Sequence, residues 1–207
     1  MSLQAAQAKL LAVDPSRWPA PVAALALAQP LLTLAVRATG PGIELVSNAG
    51  VPSESPCDIV CKLGIKSWRD SGSLRAIRQG LRLPEALEAL LATPTPQQRV
   101  LAPAWTDSGT PLLLRLLPYI DFCDISEVRW LTGPREVRFI SACQRGASAP
   151  LLGPALARMK ALAQAIAARL PPLMYIIELA CLPDGSLKLV EINPGLQPAE
   201  IRALHAA

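Results

Sequence analysis

A β-hairpin that carries two glutamates is the feature that most limits how this chain can fold. Within Tyr175–Gly195, two apolar segments flank Asp184 and Gly185. Asp-Gly between apolar segments is a strong signal for a two-residue hairpin turn. Counting outward from such a turn places Glu178 directly opposite Glu191. Directly opposed residues point to the same face of a sheet, with their Cβ atoms about 5 Å apart, so the sequence predicts two adjacent carboxylates.

The predicted surroundings of these glutamates indicate a cation site. Asn193 falls on the same face, and the other residues expected there are apolar: Ile176, Ala180, Leu182, Leu187 and Leu189. Two like charges on an apolar face repel each other and are costly to desolvate, so either one carboxyl is protonated or a cation lies between them. Carboxylate and amide oxygens suit Mg²⁺, which commonly completes its shell with water and nucleotide phosphates. The simpler alternative is a solvent-facing strand pair with incidental acids, and the apolar neighbours argue against it.

Length and composition exclude several kinds of chemistry. The chain has 207 residues, of which 51% are hydrophobic, so it has room for one large or two small domains and is not a disordered tail. His205 is the only histidine. A Ser-His-Asp or Cys-His system and a two-histidine metal site are therefore nearly excluded. Any chemistry must come from carboxylates, amides, lysine, arginine or a bound cation.

Charge and cysteine content bear on partners and location. The net charge is +4, with no block of Lys and Arg, so we expect no nucleic-acid partner. The five cysteines are scattered, which is typical of thiols in a reducing compartment. The apolar stretch Val22–Val36 is interrupted by Pro30 and is too short to span a bilayer, and the first residues lack a secretory signal. We expect a cytoplasmic protein that does not enter a membrane.

Hydrophobic periodicity predicts a mixture of strands and helices. The strongest helix is Gly153–Leu170, which Pro171 and Pro172 terminate. Other helices are predicted at 4–13, 84–91 and 198–205, and strands at 57–63, 112–117, 127–131 and 137–143. Strands with a few long helices indicate an α+β or mixed α/β class, with a possible domain boundary within 93–111.

Several sequence blocks resemble a known family. The end of the hairpin reads E-I-N-P at 191–194, and upstream blocks read CKLGIKSWRD at 61–70, SLRAIR at 73–78, LLRLLPYID at 113–121, EVR at 127–129 and FISACQR at 139–145. These blocks resemble, in the same order, the signatures of the cell division cycle protein 123 family, which belongs to the ATP-grasp superfamily. The resemblance runs from about residue 58 to about residue 200. It does not reach the residues before 57.

The resemblance implies an α+β ATP-grasp fold, with two lobes of mixed or antiparallel sheet and flanking helices. Residues 1–56 would form an amino-terminal extension and the start of the small lobe. Residues 57–111 would form the small lobe, and residues 112–207 the carboxy-terminal lobe with a site for ATP and Mg²⁺.

The resemblance also assigns roles to single residues. Lys62 would reach nucleotide phosphates, and Arg69 would belong to a loop that closes over the nucleotide. The strand Leu114–Leu117 would be the hinge, whose backbone, including Leu116 and Leu117, meets adenine, and Arg115 would lie nearby. As alternatives, Lys62 could be an exposed edge residue, and Arg115 could form a structural ion pair, for example with Asp121.

In the carboxy-terminal lobe, the resemblance implies that Arg129 contacts phosphates. Glu178, Glu191 and Asn193 would hold one or two Mg²⁺ ions, in agreement with the hairpin argument. This chain departs from the family in having Glu rather than Asp at 178 and 191, and in having Ile65 and Gly146 at positions where the family has an aromatic and an acid.

Three functions are consistent with these residues. The first is a Mg-ATP-binding assembly chaperone for eukaryotic translation initiation factor 2, acting through its gamma subunit, as the resemblance implies. The second is an ATP-grasp ligase, which would phosphorylate a carboxylate and let an amine attack the acyl phosphate. The third is an interaction module that binds no nucleotide.

Overall fold

The computed structural model describes residues 3–39, 42–64, 66–67, 69–70, 73–74, 76–95, 98–99, 102, 105–106, 109–134, 136–144 and 153–205. The chain forms two compact units. The hairpin unit comprises Met1–Leu27 and Ile120–Ile201, and the six-stranded unit comprises Ala28–Tyr119 and Arg202–Ala207.

Helices and strands are numbered in chain order. The helices are α1 (Leu3–Ala12), α2 (Ala20–Ala23), α3 (Leu83–Leu91), α4 (Gly153–Ala167) and α5 (Pro198–His205). The strands are β1 (Leu32–Thr39), β2 (Gly42–Leu45), β3 (Ile59–Leu63), β4 (Lys66–Ser67), β5 (Arg69–Asp70), β6 (Ser73–Leu74), β7 (Ala76–Ile77), β8 (Leu112–Pro118), β9 (Ser126–Thr132), β10 (Val137–Gln144), β11 (Tyr175–Cys181) and β12 (Leu187–Pro194).

The six-stranded unit is built on an antiparallel sheet in the order β2-β1-β8-β3-β4, with β7 paired to β3. β8 lies between β1 and β3, and its alternating buried residues are Leu112, Leu114 and Leu116. The helix α3 buries four leucines at helical spacing: Leu83, Leu87, Leu90 and Leu91. Pro84 occupies its first turn, where the missing N–H costs no hydrogen bond.

The hairpin unit is built on a four-stranded antiparallel sheet in the order β10-β9-β11-β12. One face is apolar: Val128, Trp130, Ile177, Leu179, Leu189 and Ile192 are buried on it. The helix α4 packs on β9, β10 and β11 and buries Met159, Ala163 and Ile166. The helix α1 packs against β12 and buries Ala6 and Leu10. The opposite face of the sheet carries the glutamates of the hairpin.

Most predicted elements are present with small shifts at their ends. The helix predicted at Gly153–Leu170 is α4, which ends at Ala167, before the two prolines. The α+β class is confirmed. The domain division predicted at 111/112 falls just before β8, which pairs with β1 and β3 in the six-stranded unit. Among the described residues, no helix is long and apolar enough to cross a membrane.

Candidate functional site

The turn of the hairpin differs from the prediction. Leu182 N–H donates to the Ser186 carbonyl and Gly185 N–H to the Leu182 carbonyl, each at 2.9 Å. The loop therefore contains three residues, and Gly185 closes it with a φ of +79°, a conformation that favours glycine. The prediction of a two-residue turn is wrong. A three-residue turn shifts the register, so Cys181 pairs with Leu187 and Leu179 pairs with Leu189.

A β-bulge then restores the predicted opposition of the two glutamates. The register changes between Glu178 and Leu179, which leaves Val190 as the extra residue on β12. Beyond the bulge, Glu178 pairs directly with Glu191, and Ile176 pairs with Asn193. The predicted juxtaposition of the carboxylates is present, although the turn alone does not produce it.

The same bulge changes which residues share the face of the glutamates. Leu187 and Leu189 were expected on that face, but they pair with Cys181 and Leu179 and therefore lie on the other one. Lys188 pairs with Ala180 and takes their place. Because Ala180 is two residues from Glu178, Lys188 lies on the glutamate face. The face of the sheet that carries the glutamates thus includes the lysine Lys188 where the sequence predicted leucines.

The sheet brings Arg129 beside Glu178. In the register of the sheet, Glu178 lies between Arg129 on β9 and Glu191 on β12. Arg129 Nε lies 3.2 Å from Glu178 Oε1, and Arg129 Nη2 donates to Glu178 Oε2 at 3.3 Å. The same Nη2 lies 3.5 Å from Glu127 Oε1, so one guanidinium serves two carboxylates. About half of the Arg129 side chain is exposed, which leaves donors available to a ligand.

Asn193 also contacts Glu178. Its Nδ2 donates to Glu178 Oε1 at 3.1 Å. This hydrogen bond holds the Asn193 side chain, and with it the amide oxygen, against the carboxylate of Glu178. Glu178, Glu191 and Asn193, the three predicted metal ligands, lie together on one sheet face, with Arg129 adjacent. In the described part of the chain, no group of three or more His, Cys, Asp and Glu side chains could hold a metal ion.

The environment of Glu178 disfavours its charge. Only 11% of its side chain is exposed. Burial is the main cause that raises the pKa of Glu178 to about 7; Glu127 and Glu191 act in the same direction, and the Arg129 guanidinium opposes them. A solvent-facing pair of incidental acids, the simpler alternative above, does not match this burial.

The predicted nucleotide contacts of the six-stranded unit lie on neighbouring strands. Lys62 on β3 pairs directly with Arg115 on β8. Arg115 also donates to the Gly64 carbonyl, which gives its guanidinium a structural partner. A Cβ on Gly64 would lie 2.8 Å from the Trp105 ring, and its φ is +52°, so this turn requires glycine.

Leu116 and Leu117 are placed differently in the sheet. Leu116 pairs with Leu32 on one side and Cys61 on the other, and pairing with β1 ends there. Leu117 pairs with Val60. Arg69 lies on β5, but its side chain is outside the described residues, as are Ile65 and Gly146.

Sequence reasoning missed two members of the cluster in the hairpin unit, and it missed one contact of a third. The resemblance assigned Arg129 to phosphates, but not to an ion pair with Glu178. Glu127 and Lys188 were not assigned at all. The alternation of Glu127 and Arg129 along β9 places both on one face, and this signal becomes useful only once β9 is known to pair with β11.

Comparison of the sequence with protein-family models and with curated proteins finds no match. Solved structures do match. Cdc123 from Schizosaccharomyces pombe is 15% identical with a TM-score of 0.52, over 91% of this chain and 85% of that one. The fold is an ATP-grasp fold. This likeness concerns the fold alone.

Two longer enzymes are matched more weakly. D-alanine–D-alanine ligase from Helicobacter pylori is 13% identical with a TM-score of 0.44, over 77% of this chain and 49% of the ligase. Carboxyaminoimidazole ribonucleotide synthase from Aspergillus clavatus, solved with ATP, is 19% identical with a TM-score of 0.38, over 69% of this chain and 35% of the synthase. The chain thus spans half or less of these enzymes.

Proposed function

We propose that the hairpin unit binds Mg²⁺ together with ATP, and that Glu178, Glu191 and Asn193 supply the protein ligands of the metal. The observation that carries this proposal is the direct opposition of Glu178 and Glu191 on a sheet face where Glu178 is almost fully buried. A divalent cation between the carboxylates would remove their repulsion and compensate the burial of charge.

Arg129 has a second role in this proposal. In the ligand-free protein, its guanidinium contacts Glu178 and Glu127. If the glutamates held Mg²⁺, the exposed half of Arg129 would be available to a phosphate oxygen, for which the forked guanidinium is well suited. Glu178, Glu191 and Asn193 would hold the metal and Arg129 would hold a phosphate oxygen, so neither Mg²⁺ nor ATP would bind well without the other.

The remaining assignments rest on the sequence resemblance. We propose that Lys62 and Arg69 contact phosphates, that Arg115 lies near adenine, and that the backbone of Leu116 and Leu117 meets the base. Since pairing with β1 ends at Leu116, Leu117 is the better candidate for a backbone contact.

For the biological role, we propose a chaperone that assists assembly of translation initiation factor 2 through its gamma subunit, in the cytoplasm. The ordered sequence blocks between residues 58 and 200 support it. The alternative is a carboxylate–amine ligase working through an acyl phosphate, in which the same Mg²⁺ and Arg129 would stabilise charge on the transferred phosphoryl group. Release of phosphate or ADP that depends on a carboxylate and an amine would favour the ligase.

Calorimetry of Mg-ATP with the wild type and Glu191→Gln tests the site. Glu191→Gln removes one charged ligand at nearly constant volume, so we expect loss of Mg-ATP binding with an unchanged circular dichroism spectrum. The matched control is Glu44→Gln, which makes the same change at an exposed glutamate paired with Arg37. This variant should bind Mg-ATP as the wild type does. Equal affinity of Glu191→Gln and the wild type would refute the site.

The partner is tested separately. The purified gamma subunit should bind the wild type more tightly with Mg-ATP than without it, and Glu191→Gln should show only the weaker binding. Absence of binding in both conditions would refute the chaperone role and leave the nucleotide site standing.

A further inference from the structure

A nearly buried ion pair joins the first and last helices of the described chain. Lys9 Nζ on α1 lies 2.8 Å from Glu200 Oε1 and 2.9 Å from Glu200 Oε2 on α5. The Glu200 side chain is 1% exposed and that of Lys9 is 18% exposed. Lys9 follows the buried Ala6 by three positions and precedes the buried Val13 by four, so it lies on the packed face of its helix. A lysine on such a face requires a partner, and Glu200 provides it.

Glu200 also holds the start of its own helix. The Gln197 N–H donates to Glu200 Oε2 at 2.7 Å, which is the backward contact of a capping box. One carboxylate thus fixes the lysine of a distant helix and the backbone just before α5. Burial opposes the charge of Glu200, but Lys9 and the Gln197 N–H hold its pKa below the ordinary value.

The segment between Asn193 and Gln197 is held at both ends. Gly195 N–H donates to the Met174 carbonyl at 2.8 Å, and a Cβ on Gly195 would lie 2.7 Å from the Met174 Cβ. Glu200 fixes Gln197 two residues later. Asn193, a proposed metal ligand, immediately precedes this segment and is held by its contact with Glu178. Asn193 pairs with Ile176 at the end of β12, and the backbone that follows it leads directly into the segment that Glu200 anchors.

We infer that Lys9 and Glu200 are positioning residues for the Mg-ATP site, and that α1 thereby forms part of the frame of that site. This inference rests on the proposed function of the hairpin unit. It gives a role to an amino-terminal helix that the sequence resemblance does not cover. The pair touches no ligand; it acts by restricting the backbone from Pro194 to Gln197.

The physical reason lies in the geometry that Mg²⁺ demands. Mg²⁺ requires a nearly ideal octahedral shell, so small displacements of a ligand cost affinity. Partners that orient metal ligands typically change metal affinity by about 10- to 100-fold when removed. Because Lys9 and Glu200 act through the backbone rather than on a ligand itself, we expect an effect near the lower limit of that range.

Calorimetry of Mg-ATP, at a temperature where every variant is folded, tests the inference with Lys9→Met. We expect Kd to rise about tenfold and the Mg²⁺ concentration needed at fixed ATP to rise with it. Lys9→Arg keeps the charge and should restore most of the affinity. Amide hydrogen exchange of residues 195–197 should be faster in Lys9→Met than in the wild type.

Two controls separate positioning from a general loss of stability. Met159→Ala removes a fully buried side chain of α4 and should lower the melting temperature without changing Kd. Lys160→Met makes the same chemical change at an exposed lysine of α4 and should change neither.

The outcomes are distinct. If Lys9→Met binds Mg-ATP as tightly as the wild type, or if Met159→Ala weakens binding equally, the inference is overturned and the proposed function stands. If the wild type itself does not bind Mg-ATP, the proposed function fails and the inference fails with it. A selective loss in Lys9→Met with rescue by Lys9→Arg supports the inference.

Discussion

Replacement of Glu178 by glutamine should stabilise the ligand-free protein at pH 8. Only 11% of the Glu178 side chain is exposed, and its pKa is raised from 4.5 to about 7, chiefly by burial. The pKa is about 7 in the folded chain and 4.5 in the unfolded chain. Ionisation of this carboxyl above pH 7 therefore destabilises the folded state by about 3 kcal/mol, at about 1.36 kcal/mol per pKa unit. The attraction of Arg129 is already included in that pKa, and glutamine stays neutral at every pH, so we expect a net gain of up to about 3 kcal/mol at pH 8.

The sign of the pH dependence follows from proton binding. Between pH 4.5 and about 7, the folded chain holds the Glu178 proton more tightly than the unfolded chain does. The stability contributed by the protonated carboxyl is therefore complete below pH 4.5 and is lost as the pH rises through about 7. The advantage of Glu178→Gln should be largest at pH 8 and should fall below about 1 kcal/mol near pH 5.

Urea denaturation in EDTA, followed by circular dichroism at pH 8 and pH 5, measures this difference. Glu44→Gln is the control, because it makes the same chemical change at a glutamate whose side chain is 44% exposed. A Glu178→Gln variant that is less stable than the wild type at both pH values would refute the reasoning, since it would show that the charged carboxylate stabilises the ligand-free fold.

Two further predictions concern the metal and the segment after Asn193. Mg²⁺ in the presence of ATP should bind more tightly at pH 8 than at pH 6, because the metal must displace the proton from Glu178. Calorimetry in two buffers with different ionisation enthalpies should detect the released proton. An affinity for Mg²⁺ that does not change with pH would contradict this prediction. Gly195→Ala should destabilise the protein by about 1–3 kcal/mol, because the new methyl group would lie 2.7 Å from the Met174 Cβ and 2.9 Å from its carbonyl oxygen. Gly153→Ala, where a Cβ meets nothing within 4 Å, is the control in urea denaturation, and equal stability of the two variants would contradict the crowding argument.

The hairpin shows how far local sequence predicts this site. The Asp-Gly signal and the apolar strands identified the hairpin, and counting placed Glu178 opposite Glu191, as the structure has them. The count assumed a two-residue turn, whereas the real turn has three residues and the bulge at Val190 compensates for the extra one. A bulge depends on the packing of both sheet faces, which a strand's own sequence does not specify, so the residues near the turn were placed on the wrong face.

The contacts of Glu178 required long-range information. Arg129 lies 49 residues away in sequence, and only the strand order β10-β9-β11-β12 brings it next to Glu178. The four strands of the sheet could be arranged in many orders and registers, so no local sequence pattern predicts the ion pair between Arg129 and Glu178. The amphipathic helices α3 and α4, in contrast, follow from periodicity alone, because their buried residues recur at three and four positions.

The contrast between two buried glutamates of the same unit supports the proposal that Glu178 belongs to a ligand site. Glu200 is 1% exposed, yet Lys9 and the Gln197 N–H keep its pKa below the ordinary value. Glu178 is also largely buried, but it shares one half-exposed arginine with Glu127 and faces Glu191, and its pKa is raised to about 7. A glutamate that serves only the fold can be satisfied as Glu200 is, with one cation and one N–H. Glu178 shares Arg129 with Glu127 and lies opposite Glu191, and a divalent cation is the ligand that we propose to balance these carboxylates.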